Sequence, residues 1–264
     1  MNAQIEPAIK QLIQEEIGTC TIIPAAGGAT SATLYRLISS EKGVYYLKIN
    51  HDPDATESLN DDKTIYEWLS GKIEVPKVIF YKKTATYEAL CVTEIEGITL
   101  EAMIGTVAEE EIIQLYAQTL KKLHSMPIED CTVQRNLAGK LNTVKYRIEQ
   151  DLIAADEFEE GYQYLSPKEL FERLLRKIPD NYEPVFTHGD YCFDNLLIKQ
   201  GKLSGLIDIG RGGIADKYQD IALAIRSIRH ELGDEYIGLF CKEYGLENLN
   251  KEKVFFYTLL DEFF

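Results

Sequence analysis

The chain has 264 residues, of which 45% are hydrophobic and 10% are aromatic. This is enough apolar material for one large domain or two small ones with packed cores. The formal net charge of -15 would repel phosphate backbones and anionic headgroups, so we expect neither nucleic acid nor a membrane as a partner.

The cysteines and the first residues indicate the compartment. The five cysteines are odd in number and lack CxxC spacing, which argues against a disulfide framework and against a zinc site. The opening residues lack the basic and apolar regions of a signal peptide, and no window reaches the roughly 18 apolar residues of a membrane span. We therefore predict a cytoplasmic protein.

The first third of the chain predicts a β-rich unit with one prominent helix. Apolar residues recur at helical spacing from Ile5 to Ile17, which predicts a first helix. Three runs rich in β-branched and aromatic residues follow as strands, CTIIP, TLYRLIS and VYYLKIN, with a turn at Lys42-Gly43. A helix from about Asp54 to Leu69 and two further strands, KVIFYKK and EALCVTEI, complete this part.

Beyond Gly97 the apolar period becomes helical. Two helical faces are predicted, one with Ile113, Tyr116, Leu120 and Leu123, and one with Leu141, Val144, Ile148 and Leu152. Ser166 and Glu169 predict a capping box at the start of another helix. One β interruption runs from PVFTHGD to LLIKQGKLSGLIDIG, with a turn at Gln200-Gly201, and helical patterns run from there to the end. We predict two domains, residues 1–95 and 96–264.

The segment His188-Gly189-Asp190, with Asn195 after four intervening residues and Asp208 thirteen residues later, carries the chemistry. Phosphoryl transfer from ATP needs a carboxylate beside the attacking hydroxyl and oxygen ligands for magnesium on the phosphates. Asp190 is the candidate catalytic base. Asn195 and Asp208, which precede and follow a predicted hairpin, are the candidate metal ligands.

Further stretches make the sequence resemble the aminoglycoside 3'-phosphotransferase (kanamycin kinase) family over almost the whole chain. They are Tyr218-Gln219-Asp220-Ile221-Ala222, Arg226-Ser227-Ile228-Arg229 and Asp261-Glu262-Phe263-Phe264. The resemblance implies an α+β, bilobal, protein-kinase-like fold with a small β-rich N-terminal lobe and a larger, mainly helical C-terminal lobe. It also implies an enzyme that phosphorylates the 3'-hydroxyl of aminoglycosides such as kanamycin, conferring resistance, with ATP and Mg²⁺.

The same resemblance assigns nucleotide-binding roles. Lys48 would hold the α and β phosphates, Tyr46 would stack on adenine, and the backbone of Thr93 and Ile95 would bind the adenine edge. Kinases usually pair that lysine with a glutamate on the next helix, where this chain has Asp62, one methylene shorter. The pair could therefore be longer or bridged by water, or Glu57 could be the partner instead.

The loop expected to cover the phosphates, residues 25–31, lacks GxGxxG. By resemblance, Thr30 there offers its hydroxyl and N–H to phosphate.

The acceptor side is expected to be acidic because an aminoglycoside carries several ammonium groups. Arg211, three residues after Asp208, is placed to meet the transferring phosphate, and the surroundings of Arg226 suit it to brace the acidic loop. His230 stands where the family often has Glu. The remaining candidate substrate-binding residues are Glu157, Glu159, Glu160, Glu231, Asp261, Glu262 and Phe264, beside an acidic neighbour, Asp156.

Two alternatives remain open from the sequence. A kinase of another small molecule, such as choline, homoserine or a sugar, would share HGD-x4-N and DxG. A nucleotide-binding pseudokinase is the second, although a module that only binds has no need of Asp190. A protein kinase is disfavoured, since only eleven residues separate Asp208 from Asp220, too few for a peptide platform.

Overall fold

The computed structural model describes residues 5–25, 32–51 and 58–264. The chain divides into two compact units: residues 1–97 with 197–211 form one, and residues 98–196 with 212–264 form the other. Within the described ranges, no helix has both the length and the apolar character needed to cross a membrane. The Glu57 and Thr30 expectations lie outside the described residues, as does most of the 25–31 loop.

The N-terminal unit is built on an antiparallel sheet. Its elements in chain order are α1 (Pro7–Glu16), β1 (Cys20–Pro24), β2 (Thr33–Ser39), β3 (Gly43–Asn50), α2 (Leu59–Leu69), β4 (Val78–Lys83) and β5 (Glu88–Thr93). The strand order is β1-β2-β3-β5-β4. Ile9 and Ile13 of α1 join one core with Leu37, Leu47 and Cys91 of the sheet, so the predicted first helix and the strands of this part are confirmed. Helix α2 begins at Leu59 after its N-cap Ser58, and its predicted start near Asp54 lies outside the described residues.

The C-terminal unit is mainly helical. It contains a two-residue strand β6 (Ile98–Thr99), then α3 (Glu109–His124), α4 (Leu137–Glu149), α5 (Pro167–Leu175) and β7 (Pro184–Thr187). The hairpin of β8 (Leu196–Lys199) and β9 (Lys202–Leu206) follows, and then come β10 (Gly213–Asp216), α6 (Tyr218–Glu231), α7 (Ile237–Tyr244) and α8 (Lys251–Asp261). Ser166 and Glu169 form the predicted capping box of α5.

The β8–β9 hairpin belongs mostly to the N-terminal unit. Its turn residues Gln200 and Gly201 adopt φ of 53° and 71°, the left-handed conformation that tight hairpin turns demand. Two hydrogen bonds attach the hairpin to that unit: the N–H of Leu206 donates to the carbonyl of Glu74 at 2.9 Å, and the Ser204 hydroxyl donates to the carbonyl of Glu96 at 2.5 Å.

Two predictions of secondary structure were wrong. Residues Gly213–Asp216, expected in a helical region, form β10 and pair antiparallel with β7; only this long-range pairing makes a strand of a four-residue segment. The predicted apolar face on α4 buries Val144 alone of its four members, and Leu152 lies beyond the helix with 55% of its surface exposed.

Candidate active site

Lys48 lies at the centre of a charged cluster in the N-terminal unit. Strand β3 alternates, so Tyr45, Leu47 and Ile49 are buried while Tyr46 and Lys48 share the other, partly exposed face. The Lys48 Nζ atom is 2.7 Å from Asp208 Oδ1 and 3.5 Å from Asp62 Oδ2. Burial alone would lower the pKa of Lys48, but Tyr66 and these two carboxylates raise it well above its ordinary value. Lys48 is therefore a fixed cation.

The Asp208 turn is shaped to meet that lysine. Asp208 has φ of 52°, a left-handed conformation uncommon for a residue with a side chain. Two residues later, a Cβ on Gly210 would lie 2.1 Å from Asp62 Oδ1, so a larger residue at this position would displace the Asp62 carboxylate. Asp62 thus reaches Lys48 directly despite its short side chain.

Replacing Asp62 with Asn is expected to raise the KM for ATP about threefold to thirtyfold, because the variant keeps the size and removes a charge that orients Lys48. Steady-state kinetics with varied ATP measure this. Glu67→Gln is the matched control, since Glu67 lies on the same helix and pairs with Lys63 at the surface. An Asp62→Asn variant with the wild-type KM for ATP would show that this ion pair does not serve nucleotide binding.

The expected adenine-binding residues lie where β5 ends. The N–H of Thr93 already donates to the carbonyl of Lys77 at 2.9 Å, so the Thr93 backbone can offer only its carbonyl oxygen to a base. Thr93 pairs with Tyr45, the residue before Tyr46, in the β3–β5 register. Ile95 packs so near Gly205 that a Cβ there would be 2.9 Å from Ile95 Cγ2. Arg211 ends the second segment of this unit.

In the C-terminal unit, a buried carboxylate fixes the loop that carries Asp190. Asp220 on α6 is fully buried and accepts hydrogen bonds from the N–H groups of His188 at 2.6 Å and Gly189 at 2.9 Å. His124 Nε2 lies 3.0 Å from the same carboxylate. Burial alone would raise the pKa of Asp220, but His124, His188 and the N–H of Gly189 lower it below its ordinary value. The loop is thus held by an ionised group.

Asn195 holds Asp190 itself. The side-chain nitrogen of Asn195 donates to the carbonyl oxygen of Asp190 at 2.8 Å and to Asp190 Oδ2 at 3.2 Å. These two bonds orient the Asp190 carboxylate, since one amide group spans the backbone and side chain of the same residue. An Asn side chain held through nitrogen can still offer its carbonyl oxygen to a cation.

Asp190 borders an acidic cavity of about 270 Å³ in the C-terminal unit. Four of the predicted substrate residues share this lining: Glu159, Arg226, His230 and Glu231. His230 Nδ1 lies 2.6 Å from Glu231 Oε1, and this hydrogen bond and charge raise the pKa of His230. The cavity brings acidic groups to the side chain expected to activate an acceptor hydroxyl.

Arg226 joins the cavity to the end of the chain. Its guanidinium lies 2.5 Å from Asp261 Oδ2, 3.7 Å from Glu159 Oε1 and 3.8 Å from Glu262 Oε1. Glu262 Oε2 also accepts from the N–H of Glu159 at 2.8 Å. Asp261 and Glu262 are buried or nearly so and stand behind Arg226, outside the cavity lining.

The other predicted substrate residues are more scattered. Glu160 is exposed and follows Glu159 in chain order. The ring of Phe264 has Lys140 and Arg147 at 5.9 Å from its centroid. The backbone of Glu157 lies in a short 3-10 turn, and its side chain is outside the described atoms.

The sequence reasoning missed two cavity residues, Glu101 and Asp194. A hydrogen bond with Asp194 and the charge of Asp194 raise the pKa of Glu101 to about 7. Asp194 lies inside the HGD-x4-N segment and could have been found there. Nothing in the sequence distinguishes Glu101 as a site residue. The fold brings it to Asp194, which is 93 positions away.

Comparison with known proteins decides the family. The model of the phosphotransferase enzyme family matches residues 21–255. The chain belongs to this family. An aminoglycoside 3'-phosphotransferase from Niallia circulans is 36% identical over 255 residues, covering 90% of this chain and 94% of the relative. The expected resemblance to the aminoglycoside phosphotransferases is therefore confirmed.

Solved structures of aminoglycoside phosphotransferases share the fold. The crystal structure of a type VIII aminoglycoside-3'-phosphotransferase has a TM-score of 0.83 and 26% identity, with 98% of this chain and 100% of that chain covered. An aminoglycoside phosphotransferase from Streptomyces rimosus, in complex with ADP and streptomycin, has a TM-score of 0.78 and 23% identity, with 97% of both chains covered. The predicted α+β, kinase-like fold is confirmed.

Proposed function

We propose that this phosphotransferase transfers the γ-phosphate of ATP to the 3'-hydroxyl of an aminoglycoside and so confers resistance. The observation that carries the proposal is the position of Asp190, held by Asn195 at the border of an acidic cavity. An acceptor with several ammonium groups fits such a cavity, whereas a neutral sugar would leave its carboxylates uncompensated.

Asp190 acts on the acceptor. Its carboxylate accepts a hydrogen bond from the attacking hydroxyl, orients the oxygen lone pair and takes the proton as the bond to phosphorus forms. The bonds from Asn195 keep the carboxylate oriented between turnovers, and Asp220 holds the backbone of the two preceding residues. Both features reduce the reorganisation required in the transition state.

The N-terminal unit holds the nucleotide. Lys48 binds the α and β phosphates, Asp62 orients Lys48, and Tyr46, Thr93 and Ile95 receive the adenine, with Thr93 serving through its carbonyl oxygen. Thr30 offers its hydroxyl and N–H to phosphate. Arg211 contacts the phosphate in transfer.

Mg²⁺ suits the donor set, since Asp208 and Asn195 offer oxygen ligands and the Asp208 side chain is 48% exposed. In the described residues no group of three His, Cys, Asp or Glu side chains could hold a metal. Bound Mg²⁺ neutralises phosphate charge. Because ATP is supplied in the cytoplasm, we place the protein there.

The acidic side chains recognise the antibiotic. Glu159 and Glu231 meet ammonium groups within the cavity, and Glu157, Glu160 and Phe264 belong to the same proposed set of antibiotic contacts. Glu231 raises the pKa of His230, and this imidazole in place of an acidic side chain weakens or shifts one ammonium contact. Arg226 holds Asp261 and Glu262 in place.

ADP release, coupled to an indicator enzyme, tests the proposal with kanamycin, with an analogue lacking the 3'-hydroxyl, and without acceptor. Of these three samples, we expect only the one with kanamycin to release ADP rapidly. NMR of its product should locate the phosphate on the 3'-oxygen. Release with choline or homoserine but not with kanamycin would indicate another small-molecule kinase. Nucleotide binding without turnover on any acceptor would indicate a pseudokinase.

A further inference from the structure

Glu88, at the start of β5, has no role in the reaction described above, yet it is completely buried. Burying a carboxylate is costly unless hydrogen bonds and opposite charge compensate. Four donors surround it: the N–H of Leu59 at 2.8 Å, the Ser58 hydroxyl at 3.1 Å, the Tyr81 hydroxyl at 3.2 Å and Lys83 Nζ at 2.7 Å. Burial alone would raise the pKa of Glu88, but Lys83, Leu59 and Ser58 lower it, so the group is ionised.

Two of these donors belong to the start of helix α2. Ser58 is the N-cap and Leu59 is the first helical residue. A negative charge there satisfies an N–H that has no partner within the helix and opposes the positive end of the helix dipole. Glu88 therefore ties the first turn of α2 to strand β5.

The same first turn carries Asp62. Leu59 and Asp62 are three residues apart, so they lie on one face of α2. In the antiparallel register of β3 with β5, Lys48 pairs with Leu90 and Asn50 pairs with Glu88. Cross-strand partners and residues two apart share a face of a sheet, so Lys48 and Glu88 face α2 from adjacent strands.

Two neighbouring polar contacts thus attach the first turn of helix α2 to the sheet. The first is the Glu88 contact with the helix start, and the second is the ion pair between Asp62 and Lys48 at 3.5 Å. An aspartate has little spare reach, and 3.5 Å is already long for a charge-assisted contact. A small shift or fraying of the first turn would therefore separate Asp62 from Lys48.

We propose that Glu88 is a positioning residue for nucleotide binding, which fixes the first turn of α2 so that the short Asp62 side chain meets Lys48. The inference rests on the proposed nucleotide role of Lys48. The anchoring explains why an aspartate suffices at position 62. A glutamate could reach Lys48 from a less precisely placed helix, whereas an aspartate needs the helix start to be fixed. Glu88 itself does not touch ATP.

A double-mutant cycle tests this inference. The affinity of a non-hydrolysable ATP analogue with Mg²⁺ is measured by calorimetry for wild type, Glu88→Ala, Asp62→Ala and the double variant. We expect Glu88→Ala to weaken binding about threefold to thirtyfold, the range for losing a helix cap. In the Asp62→Ala background the same change should cost less than about twofold, because the positioned group is already gone.

Hydrogen exchange adds a readout that a general loss of stability would not mimic. The amides of residues 59–62 should exchange faster in Glu88→Ala while those of β5 beyond Glu88 keep their protection. Glu67→Ala, at the exposed side of the same helix, should change neither exchange nor affinity. Glu88→Gln and Ser58→Ala weaken the same contact more mildly. They replace Glu88→Ala in the double-mutant cycle if that variant does not fold.

Two results would overturn the inference: equal losses of affinity from the Glu88 change in both backgrounds, or an unchanged affinity in a folded Glu88 variant. Neither depends on the acceptor, because only nucleotide binding is measured. A wild-type protein that binds the analogue but releases no ADP with any aminoglycoside would instead refute the proposed function and leave the Glu88 cycle to be judged on its own.

Discussion

Replacing Asp190 with alanine is expected to lower kcat for aminoglycoside phosphorylation by about two to four orders of magnitude, the usual contribution of a positioned general base. The affinity for an ATP analogue should change little, because Asp190 lies in the C-terminal unit and acts on the acceptor. The structure adds a reason for a loss at the upper end of this range. Asn195 Nδ2 and Asp190 Oδ2 are 3.2 Å apart, so the carboxylate is already oriented before substrate binds.

The measurement is single-turnover phosphorylation of kanamycin with saturating ATP, which separates chemistry from product release. Asp190→Asn keeps the size of the side chain and should lose a similar amount of activity, since an amide cannot accept the proton. Asp234→Ala removes an exposed acid of the same unit, one that pairs with Arg229, and should retain full activity. More than about a tenth of wild-type turnover in Asp190→Ala would remove this residue from the role of base.

The catalytic loop could be predicted from the sequence because its chemistry is local. A carboxylate, an amide and a second carboxylate at fixed spacing serve phosphoryl transfer wherever they occur. The strand and helix patterns of the N-terminal unit were equally clear, since alternation in β3 separates the buried Tyr45 and Leu47 from Lys48. Even so, the sequence left the partner of Lys48 open, and the structure answers this with Asp62 Oδ2 at 3.5 Å from Lys48 Nζ.

What could not be predicted depends on long-range contacts. Strand β10 exists because β7 pairs with it, and Glu101 enters the cavity because the fold brings it to Asp194. The buried Glu88 likewise looks in sequence like one more surface acid. Each of these residues has its environment determined by a segment distant in the chain, which periodicity and motif spacing do not report.

Neutralising the last two acidic residues is expected to raise the KM for kanamycin by about tenfold to a hundredfold while ATP affinity stays near wild type. Three carboxylates, Glu159, Asp261 and Glu262, surround the single guanidinium of Arg226. This corner therefore keeps an excess of negative charge. Without Asp261 and Glu262, Arg226 would neutralise Glu159, which lines the cavity. A charge-assisted hydrogen bond contributes on the order of 1.5 to 3 kcal/mol, so losing one ammonium contact at Glu159 accounts for the expected change.

Deleting residues 261–264 would be a poor test because Phe263 is buried. Its ring packs edge-on against Phe158 and Phe171 at 6.0 Å and 5.9 Å between centroids, and burying such a side chain stabilises by roughly 1.5 to 3 kcal/mol. A deletion would lose this packing together with the charges. The double variant Asp261→Asn, Glu262→Gln changes the charges and keeps the shape.

Burial raises the pKa of Glu262 above its ordinary value, so its negative charge is lost at a higher pH than that of an exposed glutamate. The KM of the wild-type protein for kanamycin should consequently rise as the pH falls toward the pKa of Glu262, and the double variant should lack this part of the pH dependence.

Glu252→Gln, an exposed change in the first turn of helix α8, is the matched control for the double variant. Calorimetric titrations of kanamycin and an ATP analogue into each folded variant decide the matter. Unchanged kanamycin affinity in the double variant would exclude the corner around Arg226 from antibiotic recognition, and loss of both ligands would show instead that the two carboxylates hold the fold.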